Sequence, residues 1–172
     1  MMETTSRVEY SEAAHILPNP GGVVMKTISR VEYFEAAHLL PNHNGHCRNL
    51  HGHSYYFKAT VTSNISKEFG MIMDYALLKQ AMKAVMPDHM YLHFDGNEIS
   101  EEIVKVLDKY GLAYKTYPCA TSVENMAPVI MYELEEYIHN ELGLLDVTVL
   151  EVELHETKNS ECNYRKEWFA TC

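Results

Sequence analysis

The sequence predicts an α+β domain, on three observations. Segments rich in β-branched and aromatic residues cluster toward the two ends of the chain, helix-periodic stretches fill the middle, and the two kinds of element do not alternate. The expected order is β-β-α-α-α-β-β. With 172 residues, 47% hydrophobic and 22% charged, the composition is that of one ordinary globular domain able to bury a sizeable core.

Taken in order, Thr27 to Ala37 and Ser54 to Ser63 read as strands, the second carrying S-Y-Y-F-K-A-T-V-T-S. Tyr75 to Val85 repeats Leu77, Leu78, Ala81, Met82 and Val85 at helical spacing, with Asp74 placed as N-cap and Pro87 as the stop. Glu101 to Tyr110 is a second amphipathic helix closed by Gly111, its charges forming a solvated face. Ser122 to Leu142 is a third, ending at Gly143. Asp146 to His155 alternates as a half-buried strand does, and Cys162 to Phe169 supplies the last strand.

A formal net charge of -10 argues against broad binding to nucleic acid or anionic membrane, which demands a basic surface, so a polyanionic small substrate needs a local basic pocket. Four irregularly spaced cysteines (Cys47, Cys119, Cys162, Cys172), with neither a signal peptide nor a long apolar span, lead to the expectation of a reducing cytoplasm without disulfides. Ser6 to Asn19 (SRVEYSEAAHILPN) nearly duplicates Ser29 to Asn42 (SRVEYFEAAHLLPN). The first copy runs into Pro20-Gly21-Gly22, so residues 1–24 read as a duplicated, flexible extension and 25–172 as the domain proper. His15 of that copy lacks paired histidines and is left out of the site.

The second copy leads into H-L-L-P-N-H-N-G-H-C-R-N-L-H-G-H-S-Y-Y, which holds five histidines and a cysteine between His38 and Tyr56. His51 and His53, one residue apart, share a face of an extended strand, and His38 at the end of the preceding strand is the natural third ligand. Three imidazoles without a clear fourth protein ligand describe a catalytic zinc centre with an open position, whereas a structural zinc would recruit a fourth ligand such as Cys47. His43 and His46 lie in the loop and are read as solvent-exposed. Cys47 in a polar, histidine-rich loop suits a reactive thiol better than an inert buried one. Asp88 and His89 after Pro87 read either as turn residues or as an acid–base pair, and Glu156 as either a solvent-facing strand carboxylate or a ligand anchor.

Together, F-E-A-A-H, C-R-N-L-H-G-H, G-M-I-M-D-Y-A-L-L-K, D-H-M-Y-L, T-S-V-E-N-M-A and H-E-T resemble the 6-pyruvoyl-tetrahydropterin synthase family. Their order and spacing are similar to its bacterial branch, the 6-carboxy-tetrahydropterin synthases of queuosine (7-deazaguanine) biosynthesis, from Lys26 to about Trp168. The resemblance implies a T-fold, a four-stranded antiparallel sheet with helices on one face, whose subunits close into an oligomeric β-barrel and stack as a homohexamer with sites at subunit interfaces. It makes the segment around Glu101 to Tyr110 an inserted surface excursion beside the active-site loop. It implies Zn²⁺ on His38, His51 and His53, and Cys47, Asp88 and His89 as the catalytic set. Glu156 would anchor a pterin, with Thr157, Ser122 and Glu124 completing substrate binding.

The implied reaction takes 7,8-dihydroneopterin triphosphate to 6-carboxy-5,6,7,8-tetrahydropterin, triphosphate and acetaldehyde. A pyruvoyl-forming synthase is the sister alternative, and a non-catalytic pterin-binding T-fold protein the alternative of another class. Three residues intervene between Cys47 and His51, as in the carboxy-forming branch. Ser122 stands where the family commonly has threonine, Thr121 where it has proline, and His93 where the bacterial pattern often has asparagine. Arg48 and Lys58 are the basic residues put forward for the triphosphate.

Overall fold

The computed structural model describes residues 26–63 and 70–166; the readings placed on residues 1–24, on Cys172 and on 167–169 of the last strand lie outside the described residues. Strand β1 (Lys26–His38) alternates buried Phe34, Ala36 and His38 with exposed Tyr33 and Glu35, the period that puts one face of a strand on a core. Strand β2 (His51–Ser63) alternates the same way through Tyr55, Phe57, Ala59 and Val61. The two pair antiparallel along their whole length, Lys26 opposite Ser63 and His38 opposite His51. Register is therefore fixed by the burial pattern, because a slip of one residue would turn every apolar side chain to water.

Helix α1 (Tyr75–Val85) starts where expected: the Asp74 carboxylate accepts the Ala76 N–H at 2.7 Å. It stops at Met86, held extended before Pro87. Helix α3 (Val123–Asn140) buries Met126, Ile130, Leu134 and Ile138 on one stripe, each fully buried aliphatic contributing about 1.5–3 kcal/mol. Strands β5 (Thr148–Thr157) and β6 (Ser160–Arg165) form the closing hairpin. The main core fills the space between α1, α3 and the inner sheet face, with Phe34, Tyr55, Phe57, Val152 and Leu154 facing the helices.

Two strands and their crossover extend the expected order. Strand β3 (Met90–Phe94), helix α2 (Glu98–Tyr110) and strand β4 (Tyr114–Tyr117) form a unit in which β3 and β4 run parallel to one another, and β3 runs parallel to β1. The sheet order is β4-β3-β1-β2-β5-β6, so the expected four antiparallel strands β1-β2-β5-β6 stand side by side and the parallel pair is added at the β1 edge. A parallel neighbour requires a long crossover, which α2 provides. Leu92 joins the main core while Tyr91, next to it, packs with Leu39 and Val104 in a second small core. Successive strand residues point to opposite faces, so α2 covers the face away from α1 and α3 and departs from the one-faced arrangement expected of the helices. The segment read as a surface excursion is thus a strand–helix–strand unit with a core of its own.

Candidate metal centre and active site

The cross-strand pair His38–His51 and the same-face neighbour His53 bring three imidazoles together, with ring centroids 4.7, 5.2 and 4.8 Å apart. One ligand atom from each lies within 4.8 Å of the others. The Nε2 atoms of all three are buried and have no hydrogen-bond partner in the protein. His38 Nδ1–H donates to the Thr121 carbonyl at 2.8 Å, and His51 Nδ1–H donates to the Asn49 carbonyl at 2.7 Å. A carbonyl can only accept, so these contacts fix the tautomer and leave each Nε2 lone pair facing the centre, the outer-shell arrangement of a metal-binding histidine. Burial lowers His38 to about 4, against the opposing pull of the Thr121 carbonyl, and burial also lowers His53. Neutral imidazoles are the form that binds a metal. The donor set therefore fits a metal ion.

Glu156 sits where the β5–β6 register shifts between His155 and Thr157, and such an irregularity re-aims a side chain. Its Oε1 lies 3.9 Å from His38 Nε2. Burial pushes this carboxyl up, the negative charge of Glu124 adds to the rise, and His51 opposes it. Glu124 itself lies in the exposed first turn of α3. Ser122 is the N-cap by backbone position, its carbonyl accepting from Asn125 and Met126, with no side-chain capping bond. The Thr157 hydroxyl is engaged with Ser160 Oγ at 2.7 Å in the β5–β6 turn.

Asp88 and His89 form a dyad, with His89 Nδ1 3.0 Å from Asp88 Oδ1. The Asp88 carboxyl is held below the usual aspartate range, chiefly by the Glu35 N–H that it accepts at 3.0 Å. His89 adopts a left-handed backbone (φ 59°) and its side chain is 79% exposed. It lines a cavity of about 360 Å³ together with Glu35, Gly52, His53 and Ser54, so His89 and one candidate metal ligand share an opening. Cys47 lies half-buried in the single helical turn His46–Arg48, and its carbonyl accepts the Leu40 N–H at 2.9 Å. Among the described residues no hydrogen bond joins its thiol to Asp88 or His89. Arg48 is exposed on the same loop. Lys58 lies on the opposite sheet face from the histidines, paired with Glu153 at 2.8 Å.

Sequence reasoning missed Thr121 and Asn49, which act through backbone carbonyls and so leave no residue-type signal. It also missed Glu35, whose main chain carries the dyad, and Tyr55, whose ring stands edge-on to His38 and His53.

A family model described as 6-pyruvoyl tetrahydropterin synthase matches residues 27–167. The 6-carboxy-5,6,7,8-tetrahydropterin synthase of Aquifex aeolicus is 36% identical over 127 residues, covering 70% of this chain and 76% of that protein. The enzyme of the same name from Helicobacter pylori is 27% identical over 117 residues, 65% of this chain and 58% of its own length. The structure of Caenorhabditis elegans 6-pyruvoyl tetrahydropterin synthase superimposes with a TM-score of 0.59 at 23% identity, over 84% of this chain and 98% of that one, which shows a common T-fold. With the match running from β1 through β6, the chain belongs to the 6-pyruvoyl tetrahydropterin synthase family.

Proposed function

We propose that the protein converts 7,8-dihydroneopterin triphosphate to 6-carboxy-5,6,7,8-tetrahydropterin, with release of triphosphate and acetaldehyde, in queuosine biosynthesis. The observation that carries this reading is the convergence of three buried, partnerless Nε2 atoms beside Glu156. His38, His51 and His53 would hold Zn²⁺, which when bound supplies Lewis acidity to the oxygens of the substrate side chain.

Glu156 accepts two parallel hydrogen bonds from a pterin ring N–H and amino group, fixing orientation as well as affinity. Ser122, Glu124 and Thr157 complete the pterin contacts. Cys47 as thiolate takes a proton from a side-chain carbon, and His89, oriented by Asp88, moves protons on the opposite side of the same side chain. Arg48, on the loop that carries Cys47, is the better placed of the two basic residues for triphosphate, since Lys58 is engaged with Glu153 on the far face. The carboxy product is favoured by the names of the relatives and by the spacing of Cys47 and His51.

Exposed Val31, Tyr33 and Tyr164 support assembly through the strands into a barrel and a homohexamer, and residues 25–172 are the catalytic domain. Among the described residues no helix is long and apolar enough to cross a membrane; the site of action we propose is the cytoplasm.

Mass-spectrometric product analysis of zinc-loaded protein with 7,8-dihydroneopterin triphosphate tests the reading, with Cys47→Ala alongside. Carboxy-tetrahydropterin and acetaldehyde, lost in the variant, support it. A pyruvoyl product moves the protein to the sister activity, and no turnover with zinc bound overturns the enzymatic reading.

A further inference from the structure

We propose a second divalent-cation site, on the opposite face of the sheet, built from Glu153 and His155 of β5 and Glu161 of β6. Residues 153 and 155 point to one face because strand side chains alternate, and Glu161 is the cross-strand partner of His155. His155 also stands opposite Tyr56 of β2, whereas Tyr55 belongs to the three-histidine face, so the two centres lie on opposite sides of the same strands.

One ligand atom from each of the three side chains falls within 4.8 Å of the other two. His155 Nε2 is 2.8 Å from Glu153 Oε1 and 3.6 Å from Glu161 Oε2. A single imidazole nitrogen carries at most one proton and can donate it well to only one carboxylate. A dication bound to the same nitrogen satisfies both.

Three features hold the ligands in place. The Tyr56 ring packs on the His155 imidazole at 4.5 Å between centroids and sets its plane. Lys58 binds Glu153 Oε2 at 2.8 Å, which leaves Oε1 as a single directed donor and offsets part of the negative charge. Glu153 and His155 are largely shielded, with side chains 16% and 19% exposed, while Glu161 is 61% exposed and lies on the solvent side. One imidazole and two carboxylates suit a borderline cation such as Zn²⁺, Mn²⁺ or Co²⁺ and leave positions for water or a further ligand.

The test is metal stoichiometry of the full chain by equilibrium dialysis against Zn²⁺ and elemental analysis, with binding isotherms for each variant. The wild type is expected to bind two equivalents per chain. His155→Ala loses one of them, and Glu161→Gln, an exposed change that spares the sheet, weakens the same equivalent by at least about ten-fold, the loss that even an outer-shell change brings. His51→Ala, which disables the three-histidine centre, keeps the equivalent that His155→Ala lacks, and the double variant has neither. A wild type with one equivalent, lost in His51→Ala and unchanged in His155→Ala, overturns the proposal. So does a second equivalent that survives both His155→Ala and Glu161→Gln.

Discussion

His89 donates its main-chain N–H to the carbonyl oxygen of Glu35 at 2.6 Å, and the Glu35 N–H is returned to the side chain of Asp88 at 3.0 Å. Both groups of the Glu35 peptide backbone that face this edge therefore anchor the dyad to β1, three residues before His38. The same tether carries His89 into the left-handed region, where a branched or bulky side chain is strained.

Asparagine tolerates that conformation better than most residues, which makes His89→Asn a clean probe. The variant is expected to keep its melting temperature within a few degrees and to lose about 10²–10⁴-fold in turnover, the usual worth of a positioned acid–base group. Thermal denaturation and product formation, measured on one preparation, check both halves.

Asp88 makes a prediction about pH. Its folded carboxyl titrates below the ordinary value of 3.8, mainly through the Glu35 N–H, so the unfolded chain takes up the proton first as the solution is acidified. The stabilisation it supplies is fully present above 3.8 and disappears as the pH falls through the folded value. Denaturant midpoints of wild type and Asp88→Asn should therefore differ at pH 6 and draw together toward pH 3. A constant gap would contradict the assignment.

Gly52 lies between His51 and His53, two of the three candidate metal ligands, and a Cβ there would meet the Ala36 carbonyl oxygen at 3.2 Å. That oxygen belongs to the paired strand and has little room to yield. Gly52→Ala is expected to cost about 1 kcal/mol of stability, as mild overpacking does. It should weaken metal binding at least ten-fold by spreading His51 and His53 away from His38, the order of loss that outer-shell changes bring. Metal titration beside a denaturation curve separates the two effects.

Chelation should abolish turnover and leave the fold. The main core is made by apolar side chains of α1, α3 and the inner sheet face, and none of the three histidines is part of it. Far-UV circular dichroism of the chelated protein is expected to match the loaded one. Cooperative unfolding on chelation would instead mark a structural metal.

Much of this was legible in the chain because period and punctuation agree. Asp74, Pro87 and Gly111 stand at the expected ends of their helices, and the H-G-H spacing does place two imidazoles on one face. Strand β3 escaped notice for a physical reason: Tyr91, Leu92 and His93 are all buried, so M-Y-L-H-F shows no alternation, as is usual for strands covered on both faces. β4 has only four residues and offers no period at all. Asn97, whose side chain accepts the Ser100 N–H, starts α2 three residues earlier than its apolar pattern suggested. Of the site, side-chain donors could be read, while the carbonyls of Thr121 and Asn49 that aim them exist only once the chain has folded.

Because His38 faces His51 at the very end of a thirteen-residue ladder, an ion held there would read out the strand alignment that the burial pattern sets. A shift of one residue between β1 and β2 would send His38 to the face opposite His51 and His53, and a shift of two would draw it about 7 Å along its neighbour. Either error dismantles the cradle, so tight metal uptake would be confined to the correctly zipped hairpin.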